Sequence, residues 1–231
     1  MKSQSYVIVA LDFSDFDELK YFVSILNPKL CKLKVGKELF TKFGPKVVEF
    51  LQSKGFDIFL DLKFHDIPNT VFSAVRASCE LGVWMLNVHA SGGEEMLTAA
   101  REAVDKKKYN TSLIAVTVLT SFDRDNLISI GVHNNIQEQV NLLGKLSFKC
   151  NFDGVVCSPN ECLTIKNINP LFLTVTPGIR LNNDKNDQKR VYNHTDAKSL
   201  GSDYLVIGRS ITRSNDPVNV LQMINSDLEK I

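Results

Sequence analysis

The chain has 231 residues, 44% of them hydrophobic and 23% charged, with a formal net charge of +1. That is the composition of a globular protein with material for one large core. The near-zero charge argues against nucleic acid as the main partner, because binders of the phosphate backbone carry a basic surplus.

The first residues, "MKSQSYVIVALDFSD", hold an apolar run of about six residues before Asp12. That is too short for a signal-peptide core and for a membrane-spanning helix, so no membrane association is expected. The five cysteines (Cys31, Cys79, Cys150, Cys157 and Cys162) are odd in number and show no CxxC spacing. Neither a disulfide framework nor a zinc site is expected; the thiols read as small buried hydrophobes in a reduced cytoplasmic setting.

Strand-like runs and helical patterns alternate along the chain. A strand at 6–12 ("YVIVALD") leads to an amphipathic stretch at 16–26, and "CKLKVG" (31–36) leads to one at 38–54. "FDIFLDLK" (56–63) precedes a helical pattern at 69–81, and "WMLNVHA" (84–90) precedes 93–107. "SLIAVTVLT" (112–120) is followed by 135–150, "DGVVCS" (153–158) by 159–167, and "LFLTVTPG" (171–178) by 189–200. After "DYLVIGRS" (203–210) a last helix is expected at Asp216-Pro217, where Asp caps the end and Pro suits the first helical position.

Eight strands, each followed by a helix, predict an α/β fold: a (β/α)8 TIM barrel forming a single domain over residues 1–231. The competitor is a doubly wound open sheet, which usually places a glycine-rich turn after its first strand. Here strand one ends in "ALDFSD", without glycine.

Strand three carries a puzzle. In "FLDLKFHDIPNT" (59–70), Asp61 and Lys63 alternate with Leu60, Leu62 and Phe64, and His65 and Asp66 follow. Strand interiors reject charge, because desolvating an ion costs several kcal/mol. Either this is an edge strand with one wet face, or the charges are functional. In a barrel there is no edge, residues two apart share a face, and the carboxyl-terminal rim holds the chemistry. Leu60, Leu62 and Phe64 are then expected to pack outward, with Asp61 and Lys63 inward. Asp12, Lys32, Lys34, Thr117, Thr120 and Ser121 are expected at the same rim. Asp12, Lys34, Asp61, Lys63 and Asp66 together form an alternating array in which each charge offsets its neighbour's desolvation. The plainer alternative is a set of inward salt bridges that closes the barrel end.

Near the C-terminus, "TVTPGIR" (174–180) and "LVIGRS" (205–210) each end a strand in Gly followed closely by Arg. Barrels commonly hold phosphate at the loops after strands seven and eight. Gly178 and Gly208 permit close backbone approach, and Arg180 and Arg209 supply bidentate charged forks. The polar stretch 180–190 between them reads as a lid over the ligand, or as a passive surface loop. His65, beside a Pro turn, reads as a backbone cap rather than a catalyst, and His89 as a hydrogen-bonded rim residue rather than a base; His133 and His194 show no metal-binding spacing. Neither a Ser-His-Asp order, a Walker loop nor a dinucleotide fingerprint is present.

The segments "ALDFSD", "KVGKELF", "DLKFHDIPNTV", "NVHASGG", "IAVTVLTS", "DGVVCS", "LTVTPGIR", "NDQKR" and "VIGRSIT" occur in that order. Together they resemble orotidine 5′-phosphate decarboxylase of the bacterial type. The resemblance implies cofactor-free, metal-free conversion of orotidine 5′-monophosphate to uridine 5′-monophosphate (UMP) and CO2 in pyrimidine biosynthesis. It assigns catalysis to Lys63, Asp61, Asp66 and Lys34. It further implies that Asp12 and Lys34 hold the ribose end, Thr120 contacts the pyrimidine, and Arg180, Gln188, Gly208 and Arg209 take the phosphate. Ile67 and Pro177 are implied as further substrate contacts. Asp66 and Thr70 would reach a neighbouring subunit's site, which makes the protein a homodimer with shared active sites. Two other classes share features of the chain. A magnesium-dependent sugar-phosphate lyase of the same superfamily has the DxKxxD segment but an acidic ligand at the position of Lys34. A non-catalytic nucleotide-binding barrel has no reason to keep Asp61 and Lys63 together.

Overall fold

The computed structural model describes residues 5–181 and 192–231. Eight parallel strands run Val7–Leu11 (β1), Lys32–Gly36 (β2), Ile58–Phe64 (β3), Met85–His89 (β4), Ser112–Val116 (β5), Gly154–Val156 (β6), Leu173–Thr176 (β7) and Tyr204–Ile207 (β8). They close in sequence order, with β1 paired to both β2 and β8. The predicted barrel is therefore the observed one, with shorter strands. The fifth was expected to reach residue 120 and leaves the ladder after Val116.

Helices Phe16–Ile25 (α1), Lys37–Phe43 (α2), Pro45–Ser53 (α3), Pro68–Glu80 (α4) and Gly93–Asp105 (α5) cover the first half of the barrel. Arg124–Ser129 (α6), Ile136–Lys149 (α7), Cys162–Lys166 (α8), His194–Ser199 (α9), Arg209–Thr212 (α10) and Pro217–Leu228 (α11) cover the second. Their starts are written in side chains. Asp15 accepts the backbone N–H groups of Asp17 and Glu18, and Asn135 exchanges a reciprocal pair of bonds with Glu138. At α11, Asp216 caps Asn219 and Pro217 takes the first turn, as expected.

The single helix expected over 38–54 is two. Gly44 adopts φ +62° between α2 and α3, and Pro45 cannot continue the preceding hydrogen-bond ladder. Short α6 and α10 were not anticipated, since neither is long enough to show an apolar period. The helix expected over 189–200 begins, among the described residues, at His194.

Two apolar layers result. One lies between strands and helices and includes Leu33, Val35, Leu60, Leu86, Val88 and Leu113, with Leu62 and Phe64 packed against it as predicted. The other fills the barrel itself with Ile8, Phe59, Met85, Ile114, Val175 and their neighbours. The β6–β7 contact demands glycine, because a Cβ on Gly154 would sit 2.3 Å from the Leu173 carbonyl oxygen.

Lys32 is a correction. It sits at the start of β2, not at the rim, and is 3% exposed. Its ammonium lies 3.4 Å from Asp57 and 4.8 Å from the centre of the Trp84 ring, which packs edge-on to Tyr204. Cation, carboxylate and aromatic faces together plug the amino-terminal end of the barrel. Among the described residues no helix is long and apolar enough to cross a membrane.

Candidate active site

At the opposite end, the strand termini surround a cavity of about 290 Å³. Its floor is apolar, made by Ala10, Val116, Val156 and Val206, all of which point into the barrel. Its walls carry the polar residues singled out above. Asp12, Lys34, Asp61 and Lys63 come from the β1–β3 side, and Thr120 and Ser121 follow β5. Pro177, Gly178, Arg180, Gly208 and Arg209 line the β7–β8 side. Because the strands close in sequence order, β3 and β7 face each other across the barrel. The acid–amine cluster and Arg180 therefore occupy opposite walls.

The cluster centres on Asp61, which is 8% exposed. Lys63 Nζ lies 2.5 Å from its Oδ1, and Lys34 Nζ lies 3.3 Å from its Oδ2. Lys34 is also 4.0 Å from the more exposed carboxylate of Asp12. Burial by itself would raise the Asp61 carboxyl. The charges of Lys34 and Lys63, with hydrogen bonds from Lys63 and Asn87, outweigh that and hold it at about 2. Asp61 is thus ionised at neutral pH despite its burial.

Lys63 reaches the cavity by a route simple alternation does not describe. β3 pairs with β4 at Leu60–Leu86 and next at Phe64–Val88, so it bulges between those points. Lys63 takes φ +54° at the bulge, a left-handed conformation unusual for a side chain with a Cβ. Its N–H donates to Asn87 Oδ1 at 2.8 Å, and Asn87 Nδ2 donates to Asp61 Oδ1 at 2.7 Å. Asn87 was not picked out from sequence. The available signal was a carboxamide at an inward position of β4, between Met85 and His89.

The two glycines lie at the cavity wall. Gly178 takes φ +83° where the chain leaves β7. A side chain on Gly208 would start 3.5 Å from Asp12 Oδ2, inside the cavity. Arg180 N–H donates to the Tyr192 carbonyl at 2.9 Å. Gln188 and most of the expected lid lie outside the described residues.

Three predicted residues are not at this cavity. Asp66 is exposed and its carboxylate accepts the Ile67 N–H at 2.7 Å; Ile67 is 67% exposed, and Thr70 is exposed on the first turn of α4. The chain turns away from its own barrel after the bulge, so Asp66 does not join the array expected within one chain. Thr117 also departs from the expected rim position: its hydroxyl donates to the Val156 carbonyl and it lines a neighbouring cavity. His65 and His89 line that cavity too, their ring centres 5.4 Å apart and their planes tilted by 38°. Burial, then the charges of His65, Lys63 and Lys37, push His89 down to about 4, so it is neutral at physiological pH. His194 pairs with Asp227 at 3.1 Å. Among the described residues no group of three or more His, Cys, Asp or Glu is placed to hold a metal.

Residues 5–224 match the family model described as orotidine 5′-phosphate decarboxylase / HUMPS family. The orotidine 5′-phosphate decarboxylase of Psychromonas ingrahamii is 51% identical over 225 residues, covering 96% of either chain. That of Vibrio parahaemolyticus is 52% identical over 225 residues, 96% of this chain and 97% of its own. The crystal structure of orotidine 5′-phosphate decarboxylase from Lactobacillus acidophilus superposes with a TM-score of 0.84 at 37% identity, covering 96% of this chain and 98% of that one.

Proposed function

Because the chain belongs to the orotidine 5′-phosphate decarboxylase family, we propose that the rim cavity is where it performs that family's reaction. The protein is an enzyme that decarboxylates orotidine 5′-monophosphate to UMP and CO2, a step of pyrimidine biosynthesis.

The observation that carries the site assignment is the Lys34–Asp61–Lys63 cluster facing Arg180 across one cavity, with Arg209 beside it. Cleavage of the bond between C6 and the carboxylate leaves its electron pair on a vinyl carbon with no conjugated sink. In the proposed mechanism the Lys63 ammonium, fixed by ionised Asp61, stabilises that charge as it forms. It then transfers a proton to C6, completing UMP, and recovers a proton from solvent. Asp61 lies against the departing carboxylate, and Lys34 holds Asp61 from its other oxygen. Arg180 and Arg209 take the 5′-phosphate through paired charge-assisted bonds, while Gly178 and Gly208 let it approach the backbone. Asp12 and Lys34 bind the ribose, and Thr120 and Pro177 meet the base. Gln188 belongs to the phosphate grip in the same proposal. The phosphate is remote from the breaking bond, so its binding energy is available to organise the opposite wall.

Asp66, Ile67 and Thr70 are assigned to a second copy's cavity, making the working unit a homodimer. Their exposure, and the branched apolar surface that Ile67 presents, support this. The five cysteines, all buried and unpaired, support a reducing cytoplasmic setting. The magnesium-dependent alternative is disfavoured by Lys34, whose ammonium stands where a cation would approach Asp61.

The test is to add orotidine 5′-monophosphate with a chelator present and follow loss of its ultraviolet absorbance. Full turnover is expected. Loss of activity restored by magnesium would favour the lyase mechanism instead.

A further inference from the structure

We propose that Asn87 is a positioning residue for the decarboxylation: its carboxamide fixes the backbone that aims the Lys63 ammonium and orients the Asp61 carboxylate beside it. This rests on the assignment of Lys63 and Asp61 to the reacting end of the cavity.

The sequence places Asn87 in the middle of β4, flanked by Leu86 and Val88, which pack outward, and two residues from Met85, which packs inside the barrel. Asn87 shares the inward face and is 0% exposed. A carboxamide taken wholly out of water is costly unless both its ends are bonded. Both are. Between the pairs Leu60–Leu86 and Phe64–Val88, the bulge sets Asp61, Leu62 and Lys63 against Asn87 alone. Lys63 N–H is thereby removed from the regular ladder, and the Asn87 side-chain oxygen receives it at 2.8 Å. The Asn87 nitrogen donates to Asp61 Oδ1 at 2.7 Å, the same oxygen that Lys63 Nζ meets at 2.5 Å.

A ring is thus closed from the Lys63 main chain through Asn87 and Asp61 back to the Lys63 ammonium. The direction of the amide is dictated by its partners, since a main-chain N–H only donates and an ionised carboxylate only accepts. The left-handed Lys63 backbone, φ +54°, needs surroundings that hold it, and this ring provides them. A residue that merely filled the barrel would not need a donor and an acceptor in that order.

Asn87→Asp keeps the shape and changes only the donor. Protonated, the new carboxyl can accept from Lys63 N–H and donate to Asp61. Ionised, it only accepts and repels Asp61. The expected result is a kcat about 100-fold below wild type at neutral pH. The ratio to wild type should climb as pH is lowered, with UMP affinity by calorimetry close to wild type throughout. A space-filling role gives no such pH-dependent recovery.

Asn87→Ala should show the same deficit at every pH; if it does not fold, Asn87→Asp carries the test alone. A kcat near wild type in Asn87→Asp overturns the proposal. So does a deficit in that variant that is constant with pH or matched by lost UMP affinity. Lys63→Ala run alongside separates the two levels. Near-normal turnover there would bring down the site assignment. An inactive Lys63→Ala with a pH-independent Asn87→Asp would remove only the role of Asn87.

Discussion

The Lys63 ammonium stands 2.5 Å from Asp61 Oδ1, two residues along the same strand, across a bulge that turns the Lys63 backbone left-handed. In the proposed mechanism a pair already in place leaves little reorganisation for the moment when charge develops. Lys63→Ala is expected to lower kcat by about 1,000-fold or more, while UMP affinity, which the proposal assigns to the opposite wall, persists. Steady-state kinetics and calorimetry on the same preparation check both halves. Near-normal turnover would refute the role of Lys63.

Acid should act on stability through Asp61. Its carboxyl is held at about 2 against an ordinary value of 3.8, so it is depressed in the folded state. The sign follows: its ionisation stabilises the fold above pH 4, and that contribution is lost as pH falls toward 2. The linkage is worth about 2 kcal/mol at neutral pH. Asp61→Asn, which leaves Lys34 and Lys63 facing an uncharged partner, should unfold at lower urea than wild type at pH 7. The gap should shrink steadily below pH 4. A gap unchanged down to pH 3 would contradict the electrostatic account.

Arg209 is expected to act on phosphate alone. Arg209→Ala should weaken UMP binding by about 10- to 100-fold, the loss of one or two charge-assisted hydrogen bonds. Uridine, which lacks the phosphate, should bind the variant and the wild type equally. An equal loss for uridine would move Arg209 from phosphate recognition to a structural role.

The proposed sharing of sites between subunits is tested by a complementation experiment. Asp66→Ala and Lys63→Ala are each expected to be inactive. Subunit exchange between them creates hybrids with one intact site, and about a quarter of wild-type activity should return if the dimer is isologous. No recovery despite demonstrated exchange would place Asp66 in its own chain's chemistry.

The barrel was legible because its regularities are local: β-rich runs, turn residues at their ends, and helices between them. The face on which a side chain lies was legible too, since alternation is strict in regular strands. Height along the barrel was not. Lys32 and Lys34 share a face, yet two residues of strand separate them by roughly 6–7 Å. One plugs the amino-terminal end of the barrel against Trp84 while the other meets Asp61 at the rim. The bulge was equally hidden, because it arises from the mismatch between β3 and β4 rather than from either segment alone. Asn87 shared that fate, its meaning lying entirely in its partners. The absence of Asp66 from its own chain's array was not legible from spacing, being a matter of how the chain leaves the bulge.

The cluster of Lys32, Asp57, Trp84 and Tyr204 stops the barrel at its amino-terminal end, and apolar side chains lie between it and the cavity floor. Under the proposed function, nucleotide and carbon dioxide would then pass on the carboxyl-terminal side, with arginines on one flank and the acid–amine cluster on the other.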